Sequence, residues 1–244
     1  MPIVKGIILR SIRLQSGYSI CNLLTEFGVI TFSVLKTTKE KYILTEELSY
    51  GEYELKSQKN SSNLILKTGD LIELPNQPLT RERYFALKIA QDLVLETTEG
   101  LELNQFQKVY DAFLKLLSLS LPNPNKAVTY TIGFLAYYRR LLGCSFEINR
   151  CSLCGNTTNI VGYSLSGQGL VCSNCFEPRK SISISEEEFR SIRKTFEITG
   201  ENLEKLEIPN GIQLRLLEHI VALYQYDFTT KTKVQEELIA LLAK

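Results

Sequence analysis

The chain has 244 residues, 44% of them hydrophobic and 23% charged, the balance of an ordinary soluble globular protein with length for one large domain or two to three small ones. Its 28 Lys and Arg nearly match its 27 Asp and Glu to leave a net charge of +1, so no global field announces a nucleic-acid partner and any such surface has to come from local concentration of charge. No run approaches the roughly eighteen apolar residues of a membrane span, and the first residues lack the charged, apolar and small-residue order of a signal peptide. The expected location is the cytoplasm, without a membrane partner, where thiols stay reduced.

Residues 1–75 read as strands. β-branched and alternating runs occupy 3–14, 20–24, 29–35, 48–55 and 64–74. Glu26, Phe27 and Gly28 join the second and third as a short hairpin, and Gly69 with Asp70 is expected to interrupt the fifth as a turn or bulge. Five short strands suit a small closed barrel, for which the OB-fold is the commonest solution, with an SH3-like barrel left open by pattern alone. Charge is uneven along this stretch. Residues 1–41 carry Lys5, Arg10, Arg13, Lys36, Lys39 and Lys41 against Glu26 and Glu40, whereas residues 42–79 carry three cations against six acids. One side of the barrel is therefore expected to be basic, with Tyr18, Phe32 and Tyr42 available to stack on bases; the competing reading is a solvated charged face over core aromatics. Alternation puts Lys5 and Arg10 on opposite faces of the first strand unless a bulge near Gly6 shifts the register.

Pro75 and Pro78 mark a boundary, after which the apolar period changes from two to about 3.6. Helices are expected over 81–95, 103–119 and 128–142, the second stopped by the PNPN stretch at 122–125 and the third capped by Gly143. Ile132, Leu135, Ala136 and Leu142 of the third can pack inward. Farther on, Ser185 and Glu188 have the spacing of a capping box that starts a helix through Phe189, Ile192 and Phe196, followed by helices over 212–226 and 234–242. The expected architecture is α+β: a five-stranded OB-fold barrel over 1–79, then a helical domain over 80–244 with a zinc ribbon inserted at about 149–177.

The inserted stretch carries the chain's clearest chemistry. Cys151 and Cys154 form one CxxC, Cys172 and Cys175 a second, and seventeen residues separate the pairs. A tetrahedral zinc needs four soft ligands, and two residues between paired cysteines let a tight turn aim both sulfurs at one point. Gly155 supplies backbone freedom for the first turn. Residues 160–165 and 170–171 read as two extended segments joined through Ser166, Gly167, Gln168 and Gly169. An all-cysteine site of this kind is closed and structural, and a redox pair or two disulfides would not need both pairs at this distance.

These parts, in this order, meet a known family. A strand-rich N-terminus, helices ending in FLAYYRRLLGCSFEINRC, a CxxC, the YSLSGQGLVC return and a second CxxC resemble the RecO family of bacterial recombination mediators. The likeness is closest over 134–176, looser over 5–10 and 24–32, and weak over 214–233. It implies an OB-fold and a helical domain with a zinc-finger insertion, no nucleotidase activity, binding and annealing of single- and double-stranded DNA, binding of the single-stranded-DNA-binding protein, and, with RecR, help in loading RecA. It also implies that an acidic, apolar-ended partner tail docks on the helical domain, for which Lys108, Arg139 and Arg140 are the candidate rim cations. Two departures stand out. The family's third strand leads into a glycine-containing basic loop, whereas residues 35–41 here hold no arginine and one acid; the last helix and tail offer only Arg215, Lys231 and Lys233.

Catalytic signatures are missing. No GxxxxGK[ST] or strand-to-helix GxGxxG occurs, and His219, the only histidine, lies in an apolar helix without an identifiable nucleophile or metal partner. Cys21 and Cys144 read as free thiols, Cys144 being a spare zinc ligand at most. The expected function is a nonenzymatic DNA-repair mediator with Zn2+ as a structural cofactor. The alternative is a zinc-dependent enzyme or thiol redox protein, for which only the CxxC pairs speak.

Overall fold

A computed structural model of the chain describes residues 3–35, 38–57, 63–73 and 80–228. Lys36, Lys231, Lys233 and the helix expected over 234–242 lie outside the described residues.

Five strands close into a barrel: β1 (Ile3–Arg13), β2 (Ser19–Thr25), β3 (Gly28–Val34), β4 (Tyr50–Ser57) and β5 (Leu64–Glu73), in the order β1-β2-β3-β5-β4 with β4 returning to β1. All neighbours are antiparallel except β3 and β5, the strand order of an OB-fold. Alternation puts Ile8, Cys21, Leu23, Phe32, Val34, Tyr53, Leu55 and Leu66 inside as the core. Phe32, expected as a base-stacking candidate, is 1% exposed and belongs to that core.

Three local features differ from expectation. Gly69 and Asp70 do not interrupt β5; they pair in register with Tyr53 and Glu52, and the shifts fall elsewhere in the β4–β5 ladder. A Cβ on Gly69 would lie 2.6 Å from the Glu52 carbonyl oxygen, so the glycine serves close backbone approach rather than a turn. The bulge in β1 comes at Leu9, between the pairs Ile8–Leu23 and Arg10–Asn22, rather than near Gly6. The stretch after β3 forms a short helix, α1 (Lys39–Leu44), capped by the Thr38 hydroxyl, which accepts from Lys41 N. Tyr53, rooted in the barrel core, donates its hydroxyl to Leu44 O at 3.0 Å and so pins the far end of α1; burial raises its pKa to about 12, and the phenol stays a donor.

The helices are α2 (Arg81–Thr97), α3 (Leu103–Ser120), α4 (Ala127–Leu141), α5 (Glu186–Glu197) and α6 (Gln213–Phe228). By compactness the chain forms one unit of Met1–Leu79 with Thr98–Leu117 and another of Thr80–Thr97 with Ser118–Lys244. Most of α3 therefore belongs with the barrel, where Gly28 faces the Phe106 ring, whereas a boundary drawn at residue 79 puts all of α3 in the second unit. In that second unit α4 is central, packing on α2, α5 and α6. Tyr138 stacks with Phe134 and Tyr224, bonds Thr97 Oγ1 at 2.8 Å, and Tyr224 donates to Leu135 O at 2.7 Å. α2 is less amphipathic than its pattern suggests: Arg83, Lys88, Gln91 and Asp92 are all buried. The Arg83 guanidinium donates to Leu121 O at 2.9 Å, beside the end of α3. The capping box at Ser185 and Glu188 is present in both directions. No described helix is long and apolar enough to cross a membrane.

Candidate metal centre and nucleic-acid interface

Between α4 and α5 the chain forms a three-stranded sheet of order β7-β6-β8, from β6 (Ile160–Ser164), β7 (Gly169–Cys172) and β8 (Ser181–Ser183). The hairpin of β6 and β7 matches the two expected extended segments; β8 was not legible because three residues carry no period. Pairing of Ile160 with Cys172 sets the second cysteine turn, which Cys175 N closes onto Cys172 O at 3.0 Å. In the first turn Gly155 N donates to Cys151 O at 2.8 Å, and Gly155 takes φ +77°, a conformation that a Cβ disfavours. Ser152 N donates to Leu170 O at 2.8 Å, tying the first turn to β7.

The result is one sulfur cluster. The Sγ atoms of Cys151, Cys154, Cys172 and Cys175 all lie within 4.8 Å of one another, with Cys154 and Cys172 at 3.7 Å. Ligands about 2.3 Å from a tetrahedral ion stand about 3.8 Å apart, so the set fits a closed four-sulfur site. Two of the thiols are shifted in opposite directions. Burial opposes ionisation of Cys151, but hydrogen bonds from the backbone at Cys172, Cys154 and Leu153 overcome it and bring the thiol down to about 6. The hydrogen bond of Cys175 to Cys154, followed by burial, holds that thiol up to about 12. Four thiolates so close repel one another unless a cation offsets them. Only Cys151, Val171 and Cys172 are buried in the ribbon's own apolar cluster, which is too small to hold it together.

Two polar links, one buried and one half-buried, fasten this ribbon to the helices. Tyr163 of β6 shares a 2.9 Å hydrogen bond with His219 Nδ1 of α6. Burial lowers the His219 pKa to about 4, with Glu188 opposing and Arg215 reinforcing that shift, so the ring is neutral at physiological pH. Glu188 also receives Arg215 Nε at 2.7 Å. The second link centres on Asp227, which accepts from Gln168 at 3.1 Å and forms an ion pair with Arg139. His219 is thus an anchoring residue between the ribbon and α6. Cys21 lies in the barrel core, 3.6 Å from Ser11 Oγ, and Cys144 is half-buried and outside the sulfur cluster.

Arg139 was a candidate partner-binding cation, and its fully buried pairing with Asp227 removes it from any exposed rim. Its position follows from helical spacing, since Arg139 continues the buried stripe of Ile132, Leu135 and Ala136. Arg140 is exposed and donates to the Phe196 and Ile198 carbonyls at the end of α5. Lys108 is exposed on the part of α3 that belongs with the barrel. Asp227 and Gln168 had no distinguishing signal in the sequence, because each acts through residues far away along the chain.

The five candidate barrel cations among the described residues divide by what they touch. Lys5 pairs with Glu52 at 3.0 Å, and that hydrogen bond raises its pKa. The bulge at Leu9 turns Arg10 to the same side of β1 as Lys5. Arg13, at the end of β1, lays its guanidinium over the Tyr42 ring of α1, 3.7 Å from the centroid. Lys39 and Lys41 lie on α1, and among the described residues neither they nor Arg13 is paired with a carboxylate. Arg13, Tyr18, Lys39 and Tyr42 line an open groove of about 430 Å³ between the β1–β2 loop and α1. Tyr18 and Tyr42 are each 41% exposed. The groove thus combines positive charge that no described carboxylate answers with two accessible rings, which suits a polyanion carrying flat bases.

The family model described as Recombination protein O C terminal matches residues 79–236. The DNA repair protein RecO of Mycoplasma capricolum subsp. capricolum is 27% identical over 184 residues, covering 71% of this chain and 71% of that protein.

Proposed function

The chain belongs to the RecO family of DNA repair and recombination proteins, and from that premise we propose that it is a nonenzymatic mediator that binds single- and double-stranded DNA and anneals complementary strands. With RecR it would help load RecA onto strands coated by the single-stranded-DNA-binding protein. The observation that carries this reading is the barrel groove, where Arg13 and Lys39, neither paired with a carboxylate among the described residues, stand beside Tyr18 and Tyr42, with Lys41 on the same helix as Lys39. OB-folds hold single strands by this combination of phosphate attraction and aromatic platforms. Lys5 and Arg10 extend the basic surface along β1, Lys5 with part of its charge answered by Glu52. Lys36 belongs to the same proposed set by sequence.

Zinc is the ion we assign to the four cysteines, since four thiolates at tetrahedral spacing suit a soft or borderline divalent cation. Bound there it supplies folding energy, and four sulfur donors fill its coordination sphere. This argues for a structural role over the zinc-enzyme or thiol-redox alternative. For the partner tail, the sites retained are Arg140 and Lys108, each by itself.

The test is a salt titration of binding and annealing with complementary oligonucleotides. Affinity should fall steeply as salt rises, because each phosphate contact on a single strand contributes about 0.7 to the slope. Affinity that is independent of salt, or no acceleration of annealing, would overturn the reading.

A further inference from the structure

We infer that Arg13, stacked on Tyr42 and facing Tyr18 across the groove, forms a base platform that makes the barrel prefer unpaired strands to duplex. The inference rests on the reading of the barrel as a DNA-binding domain and adds the group that the groove selects.

A guanidinium stacked on a ring does two things that a lysine cannot. Its plane is held by the ring below, and its upper face and N–H edges stay open, so a base can stack above while the edge reaches a phosphate. The 3.7 Å approach of Arg13 to Tyr42 is this arrangement, and no carboxylate among the described residues competes for the edge. Tyr42 is well fixed. Its helix is capped at one end by Thr38 and held at the other by Tyr53, while Thr45 Oγ1 donates to Lys41 O at 2.8 Å. Across the groove, Leu14 N donates to Tyr18 O at 2.8 Å, which fixes the neck of the β1–β2 loop and the backbone that carries the second ring. The space of about 430 Å³ lies within the range of small-molecule sites, and Lys39 at its edge supplies a further charge for the backbone. A duplex keeps its bases stacked on each other, so it can answer the charges of this groove but not its rings.

The experiment uses the full chain and three probes: a short oligothymidylate, an abasic strand of the same length, and a duplex. Tyr42→Leu and Arg13→Lys should each weaken oligothymidylate binding roughly tenfold, while abasic and duplex affinities change little. Tyr42→Phe, which keeps the ring, should bind as the unaltered protein does, and far-UV circular dichroism checks that each variant is folded. Equal losses on all three probes, or no loss on oligothymidylate, would overturn the platform. Lys39→Glu with Lys41→Glu serves as the separate control on the underlying reading, because it should weaken all three probes. If that double variant lowers every affinity while the platform variants do nothing, only the platform fails. If neither set changes binding, both fail.

Discussion

The barrel and the ribbon are both small β structures, and they make up for their size in opposite ways. The barrel encloses eight buried residues from all five strands, whereas the ribbon encloses three, two of them cysteines of the sulfur cluster. Each gains its order from a different source: the barrel from closure and apolar burial, the ribbon from polar links to α4 and α6 and, in the reading proposed above, from an ion held by its four cysteines. A self-sufficient core leaves the barrel's loops free to present Arg13, Tyr18, Lys39 and Tyr42 to solvent. The ribbon instead uses Tyr163 and Gln168, polar residues that elsewhere would be available to a partner, to hold itself in place.

The sharpest way to separate the two is to remove the metal. Cys154→Ser should release the ion and unfold the ribbon, since structural zinc contributes on the order of 10 kcal/mol, while the barrel keeps its structure. Metal analysis of the unaltered protein should give one equivalent of zinc, and proteolysis of the variant should cut first between residues 149 and 177. Less than about half an equivalent under reducing conditions would contradict a site whose affinity is coupled to folding.

The next effect comes from the polar links. Asp227→Ala leaves the Arg139 charge buried without its carboxylate, a change that costs about 3–5 kcal/mol. Urea unfolding followed by tryptophan-independent probes such as far-UV circular dichroism would register it, with DNA affinity of the folded protein unchanged.

Acid should act on the other link. His219 has its folded pKa lowered to about 4 from 6.5, so the unfolded chain takes up the proton first as pH falls. The stability held by the neutral ring is therefore fully present above about pH 6.5 and lost as pH drops toward 4, by up to roughly 3 kcal/mol. His219→Gln should flatten the stability profile in that window; an unchanged profile would mean that other groups set it.

The smallest effect is expected at Lys5. Its ammonium is already answered by Glu52, so Lys5→Ala should alter DNA affinity less than Lys39→Glu or Lys41→Glu does. A larger loss at Lys5 would move the DNA path from the groove to the outward side of β1.

Much of this was legible from local pattern. Two CxxC pairs with a hairpin between them announced the four-sulfur cluster by spacing alone, and alternation over five runs specified the barrel. What was not legible depends on tertiary contact or on segments too short for a period. Helix α1 spans six residues, less than two turns, so only the Thr38 cap announces it. Arg139 looked like a surface cation because its partner Asp227 is 88 residues away, although its place on the stripe of Ile132, Leu135 and Ala136 pointed inward. The Leu9 bulge, which decides whether Lys5 and Arg10 share a side, is set by pairing with β2.

The division of labour between barrel and ribbon is tested most directly by one salt titration of single-strand binding, run on the unaltered protein, on Cys154→Ser and on Lys39→Glu with Lys41→Glu. Loss of two phosphate contacts should lower the magnitude of the salt slope of the double variant by about 1.4, whereas the cysteine variant should keep the slope of the unaltered protein. A slope that falls on loss of the ribbon and holds on reversal of the two lysines would contradict the assignment of DNA to the barrel.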